Sequence, residues 1–254
     1  MKVTAFIGSC RKRHTYIACE KFLQNLYSMG NVEYELVRLS EYNIGTCKGC
    51  RLCFDKGEEH CPHKDDRDKL IAKISESDGV IFASPNYSFQ VSGMMKVFLD
   101  RLGFGFHRPN FFGKTYTSIV VQGIAKGNDI VKYLDFVGKG LGFNVVKGCC
   151  LKTLEPMTEK SQQKFDNVIE LQSKKFYAQM IRKEYPTPSL LWLMIFRMGR
   201  TSMQKMLDEN WRDYTYFRDK GWFESDYFYP VKLNPIKKLS GKIFDKLAIQ
   251  IIRS

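Results

Sequence analysis

The sequence predicts an α/β protein: a doubly wound, five-stranded parallel sheet over residues 1–184, with an irregular and helical C-terminal extension over 185–254. Three observations carry this reading. Apolar strand-like runs alternate with stretches of helical periodicity through the first 184 residues, and that alternation implies a parallel sheet covered on both faces. Asp78–Ser84 (DGVIFAS) is continuous in Val, Ile and Phe at its centre, as strands buried on both faces are. After Glu184 the alternation stops at Tyr185-Pro186-Thr187-Pro188, whose two prolines punctuate the chain.

In order, Lys2–Gly8 is a strand ending in a glycine-serine turn, and His14–Met29 is a helix with Ile17, Phe22, Leu23 and Leu26 on one face. Val32–Leu39 alternates as the second strand, and a cysteine-rich loop follows it. Asp65–Ser75 opens with acidic residues, which favour a helix N-terminus. Asp78–Ser84 is the third strand and Met94–Leu102 the next helix. Thr115–Gln122 and Phe143–Leu151 are the fourth and fifth strands, separated by a helix over Asn128–Lys139, and Thr158–Arg182 is a long amphipathic helix. Five strands with a short first loop suit a flavodoxin-like strand order better than a barrel. Such a sheet has a ready-made ligand crevice where its winding reverses, beyond the C-terminal ends of the first and third strands. Gly8–Thr15 and Ser84–Gly93 are therefore expected to be spatial neighbours.

In the extension, the aromatic stretch from Trp211 to Pro235 reads as irregular. Pro235–Ser254 reads as a basic amphipathic helix, with Ile236, Leu239, Ile243, Phe244, Leu247 and Ile251 on one face and Lys237, Lys238, Lys242 and Lys246 mostly elsewhere. Packing on the domain or on a twin subunit is the first reading of that face, and lying on an anionic membrane surface the second.

Composition narrows the function. The 254 residues are 44% hydrophobic and 26% charged, enough apolar material for a sizeable core, which excludes global disorder. No run of apolar residues approaches the ~20 needed to span a bilayer. The first residues already read as a strand rather than a secretory signal, so a cytoplasmic location is expected. The formal charge of +13 raises nucleic-acid binding, but the Lys and Arg are scattered and accompany no nucleic-acid motif. We read the excess as solvated surface and as attraction for phosphorylated cofactors, with no nucleic-acid partner.

Gly8-Ser9-Cys10-Arg11-Lys12-Arg13-His14-Thr15 joins the first strand to the first helix, where free N–H groups and the helix dipole favour an anion. Gly8 allows a tight turn, Ser9 and Thr15 supply hydroxyls, and Arg11 with Lys12 supplies charge. Neither GxxxxGK[ST] nor GxGxxG occurs here, so this is not a nucleoside-triphosphate loop or a dinucleotide fingerprint. At the end of the third strand, Ser84-Pro85-Asn86-Tyr87-Ser88-Phe89 offers the flat walls and amide donors that an isoalloxazine ring requires.

Together, GSxR…T after strand one, SPxYxxxVSGxMKxFLDR after strand three and a cysteine cluster between them resemble the NADPH-dependent FMN reductase and iron-sulfur flavoprotein group of the flavodoxin-like superfamily. The resemblance spans about residues 1–182 and implies FMN, with Ser9, Arg11 and Thr15 around its phosphate. It implies Pro85, Asn86, Tyr87 and Ser88 beside the ring, where the aromatic Phe89 also offers a wall, and the turn Gly123, Ile124 and Ala125 on the other side. It also implies NADH or NADPH, or a reduced electron carrier, as the source of electrons, and a homodimer or larger assembly. Asn86 stands where many relatives carry valine.

Cys47-x2-Cys50-x2-Cys53-x7-Cys61 is a set of four thiols in one loop. Three at this spacing can wrap one face of a cubane cluster and the fourth can close it, and the resemblance implies a [4Fe-4S] cluster exchanging single electrons with FMN. The same four thiols, with His60 and His63 nearby, suit a tetrahedral zinc site, and Lys48 and Arg51 would favour a reactive thiolate. Cys10, Cys19, Cys149 and Cys150 read as core or turn residues. Flavin chemistry needs neither His14 nor His107, and no catalytic residue is assigned. The function expected is an FMN-dependent oxidoreductase. A flavin and iron-sulfur electron-transfer protein without a small substrate is the rival reading, and a membrane-surface or regulatory role for the basic tail is a third.

Overall fold

A computed structural model describes residues 1–253. The chain divides into two compact units, one of residues 1–48 with 63–184 and one of residues 49–62 with 185–254.

The elements of the first unit, in chain order, are β1 (Lys2–Ile7), α1 (His14–Met29) and β2 (Glu33–Arg38). After the excursion to the second unit, which holds the single helical turn α2 (Leu52–Asp55), come α3 (Arg67–Glu76), β3 (Gly79–Pro85), α4 (Gly93–Arg101) and β4 (Thr115–Gln122). The unit is completed by α5 (Gly127–Gly140), β5 (Asn144–Val145), β6 (Cys149–Lys152) and α6 (Glu159–Arg182). The strands are parallel in the order β2-β1-β3-β4-β5, with β6 also on β4. This is the doubly wound flavodoxin-like sheet that the alternation predicts.

Strand periodicity divides the core in two. Val3, Ala5 and Ile7 of β1 join Ile81 and Ala83 of β3 and pack under α1 and α6, with Phe22, Leu26, Phe165 and Phe176. Phe6, Val80, Phe82 and Tyr116 point to the other face, under Leu70 and Ile74 of α3, Phe98 of α4 and Leu134 of α5. Every residue of β3 is buried, as its run of Val, Ile and Phe requires.

The fifth strand differs from the expectation of one continuous strand. β5 pairs with Thr115 and Tyr116, β6 pairs with Ile119 through Gln122, and three residues, Val146–Gly148, stand against two, Thr117 and Ser118. That extra residue is a bulge. Side chains take up its backbone groups: Gln172 Nε2 donates to Lys147 O (2.7 Å), and Gly148 N donates to Asp135 Oδ2 (3.0 Å). A Cβ on Gly148 would lie 2.0 Å from Ser118 Oγ, so only glycine fits there.

In the second unit, α7 (Leu190–Met206), α8 (Arg212–Asp219) and α9 (Pro235–Arg253) follow α2. Part of the stretch read as irregular is thus helical, because Phe217 docks edge-on against Trp222 (centroids 4.9 Å apart), a contact that residue propensity does not encode. α7 and α9 are clasped by Asp245, which accepts from Arg197, Arg200 and Thr201. No helix among the described residues is long and apolar enough to cross a membrane.

Candidate functional site

Sheet register sets the site. Ile7 of β1 pairs with Ala83 of β3, Ala83 with Ile119 of β4, and Ile119 with Cys149 of β6, so the loops after these four strands leave from one crest. There Gly8 N donates to Ala83 O (2.8 Å), extending the β1–β3 ladder to the start of the first loop. A Cβ on Gly8 would lie 2.6 Å from Ser92 Oγ and 2.9 Å from Met95 Cβ, so glycine is required by the close approach of α4.

A cleft of about 260 Å³ opens at this crest, lined by residues of the loops after β1, β3, β4 and β6. Of the residues expected, Ser9, Arg11, Thr15, Pro85, Asn86, Tyr87 and Gly123 line it. The hydroxyl-bearing Ser9 and Thr15 are buried, and no side chain caps the N-terminus of α1. The first amides of that helix therefore keep their donors for something other than a cap. Three cationic side chains, Arg11, Lys12 and Arg13, belong to the same turn, and two of them line the cleft. Buried hydroxyls, uncapped amides and arginines are donor types that could hold a phosphate monoester such as that of FMN.

Asn86 is a tie between walls. Its backbone N donates to Val121 O (2.8 Å) and its Nδ2 to Ala125 O (2.7 Å), fastening the loop after β3 to the loop after β4. Beyond it, Tyr87 and Gln90 exchange backbone hydrogen bonds across a two-residue turn, with Ser88 and Phe89 both at positive φ (49° and 61°). Neither is glycine or asparagine, so the tight turn is strained. Ser88, Phe89, Ile124 and Ala125, named with the pocket from sequence, are not among the lining residues; Phe89 and Ile124 are 64% and 80% exposed.

Arg13 and His14, both within the turn read as the anion site, line the cleft without having been assigned a role there, and Val121, Gln122, Thr153 and Glu155 line it without having been expected. His14 Nε2 donates to Glu155 Oε1 (2.6 Å). That hydrogen bond, with the Met157 amide and the charge of Arg13, holds the Glu155 carboxyl below its usual range. Thr153 and Glu155 follow the last strand, and the signal for them was available: every parallel strand of such a sheet delivers its C-terminal loop to the same crest.

The cysteine loop leaves the first unit from a stem. Asp66 N donates to Asn43 O (3.0 Å), Gly45 N to Asp65 Oδ2 (2.9 Å) and His63 Nε2 to Thr46 O (2.9 Å). Arg101 of α4 locks the stem with a bidentate pair to Asp65 (2.5 and 3.2 Å) and a further bond to Gly45 O (2.8 Å). Burial acts to raise the Asp65 pKa, but Arg101 and the amides of Gly45 and Arg67 outweigh it and bring the carboxyl down to about 2.

Cys47 belongs to the first unit and Cys50, Cys53 and Cys61 to the second; Cys47 and Cys50 are exposed, Cys53 and Cys61 half-buried. Among the described residues no disulfide forms, and no three His, Cys, Asp or Glu groups are gathered closely enough to hold a metal ion. Cys19 and Cys149 are core residues, and burial pushes the Cys149 thiol up to about 12.

The NADPH-dependent FMN reductase family model matches residues 1–152. An iron-sulfur flavoprotein of Archaeoglobus fulgidus is 31% identical over 234 residues, covering 87% of this chain and 100% of that protein. An iron-sulfur flavoprotein of Clostridioides difficile is 31% identical over 195 residues, covering 73% of this chain and 82% of its own length. The crystal structure of RosB with a bound 8-demethyl-8-formylriboflavin-5'-phosphate intermediate superposes with a TM-score of 0.59 at 13% identity, covering 92% of both chains, a likeness of fold.

Proposed function

Because this chain belongs to the NADPH-dependent FMN reductase family, we propose that the cleft at the crest of β1, β3, β4 and β6 is its flavin site. The protein is an FMN-dependent oxidoreductase. When bound, FMN supplies the capacity to accept a hydride and to exchange single electrons. The observation that carries the assignment is the meeting, in one cleft, of an uncapped basic helix N-terminus with the loops after β3 and β4.

In this reading the hydroxyls of Ser9 and Thr15 donate to the phosphate, the α1 amides complete its cradle, and Arg11 and Arg13 neutralise its charge. Tyr87 and Pro85 form one wall for the ring and Gly123 the other, with the Asn86 tie fixing their separation. Ser88, Phe89, Ile124 and Ala125 form the rim, where a second subunit would complete the pocket. With no GxGxxG sequence in the chain, the electron donor, NADH or NADPH, would enter this same cleft. A [4Fe-4S] cluster on Cys47, Cys50, Cys53 and Cys61 is supported by the spacing of these thiols and by the names that the relatives carry, not by their arrangement in the structure, which does not gather them as ligands.

Anaerobic stopped-flow mixing of the FMN-loaded protein with NADPH and with NADH tests the donor. Rapid bleaching of the flavin absorbance supports a nicotinamide-dependent reductase, whereas bleaching only by a reduced carrier protein assigns an electron shuttle. Failure to bind FMN at all overturns the site. In the same preparation, about four iron and four sulfide per chain supports the cluster, and zinc without sulfide refutes it.

A further inference from the structure

We propose that α9 attaches this protein to an anionic membrane surface, laying the exposed apolar stripe of Ile236, Leu239, Ile243 and Leu247 into the headgroup region with Lys238, Lys242 and Lys246 along its edge. The flavin site has no part in this attachment.

The four apolar side chains are 41–72% exposed, although each is large enough to belong in a core. At about 100° per residue they fall within an arc of about 80° on the helix. Lys238, Lys242 and Lys246 occupy the adjoining arc of similar width, and all three are exposed. The opposite side is turned inward: Ala248 is buried, a Cβ on Gly241 would lie 3.3 Å from Arg197 Nε, and Asp245 is engaged by Arg197, Arg200 and Thr201.

Asp245 is the only acidic residue of the helix, so its capture leaves the outer surface of α9 purely basic. Among the described residues, Lys238, Lys242 and Lys246 form no ion pair, while Lys237 bonds Pro188 O (2.7 Å). That charge selects the occupant. A second copy of the stripe would bring a second row of lysines against the first, with no acid on either outer face to answer it. An anionic lipid surface answers the lysines and accepts the apolar side chains, the combination that holds interfacial helices. Since no described helix can span a bilayer, the attachment would be to the surface alone.

The test is co-sedimentation of the full chain with vesicles of mixed phosphatidylglycerol and phosphatidylcholine, beside vesicles of phosphatidylcholine alone. Binding to the anionic vesicles that falls with added salt, and is weaker on neutral ones, is expected. K238E/K242E/K246E should weaken the partition coefficient by about fivefold or more per lysine replaced. L239E/I243E, at exposed positions, should abolish binding with an unchanged circular dichroism spectrum and FMN content. Absence of vesicle binding by the unaltered chain overturns the proposal. So does an oligomer, seen by sedimentation velocity, that dissociates on I243E, because the stripe would then be covered by a second copy.

Discussion

Replacing Asp65 by Asn removes one charge from the lock on the cysteine-loop stem while preserving its shape. Asp65 and Arg101 are 7% and 2% exposed at their side chains, and the carboxylate accepts four hydrogen bonds, two from Arg101 and one each from Gly45 N and Arg67 N. A carboxyl brought to about 2 from the usual aspartate range contributes roughly 2 kcal/mol at neutral pH. The sign follows from the depressed folded-state value. The contribution is complete above the unfolded-state pKa near 4 and is lost as pH falls through the folded-state value near 2. Asp65→Asn should cost more than this, about 3–5 kcal/mol, because it also leaves the Arg101 guanidinium without its bidentate counterion in a buried site. In thermal unfolding followed by far-ultraviolet circular dichroism, that is a fall in midpoint of roughly 6–20 °C for a chain of this size. The unaltered protein should lose stability between pH 4 and pH 2 through this group, and the variant should lack that component. Hydrogen exchange at the Gly45 and Arg67 amides should accelerate even where global unfolding does not. A cost below about 1 kcal/mol, or an unchanged acid limb, would refute the reasoning that this pair locks the stem.

Three other outcomes check the cleft. Thr15→Val and Arg11→Ala should each weaken FMN binding by about ten- to a hundredfold, the value of a hydrogen bond to a charged group, in a flavin fluorescence titration; an effect within threefold contradicts the phosphate cradle. Gly8→Ala places a methyl 2.6 Å from Ser92 Oγ and should cost about 1–3 kcal/mol in urea unfolding, with FMN content falling in step; a neutral result would mean that α4 can retreat. Asn86→Ala should loosen the loop of Gly123–Ala125, visible as faster amide exchange there and as weaker FMN binding, with the unfolding midpoint little changed.

How much of this was legible in advance depends on the range over which each cause acts. β3 was readable because burial on both faces writes itself locally as a run of Val, Ile and Phe. The basic turn after β1 was readable as a candidate anion site because a glycine, hydroxyls and arginines follow a strand within eight residues. Thr153 and Glu155 were missed because they reach the cleft only through the pairing of β6 with β4. The Asp65–Arg101 lock joins residues 36 apart, and neither one alone distinguishes a buried counterion from a surface charge.

By itself, the sequence determined the sheet, its crest, the basic turn at the start of α1 and the amphipathic pattern of α9, since each is fixed by periodicity or by neighbours along the chain. Only the tertiary structure decided that the fifth strand breaks at Gly148, that Asn86 ties the two walls of the cleft and that Asp245 turns inward. Each of these depends on which groups from remote segments compete for the same backbone donor, acceptor or space, and that competition is settled only when the chain is packed.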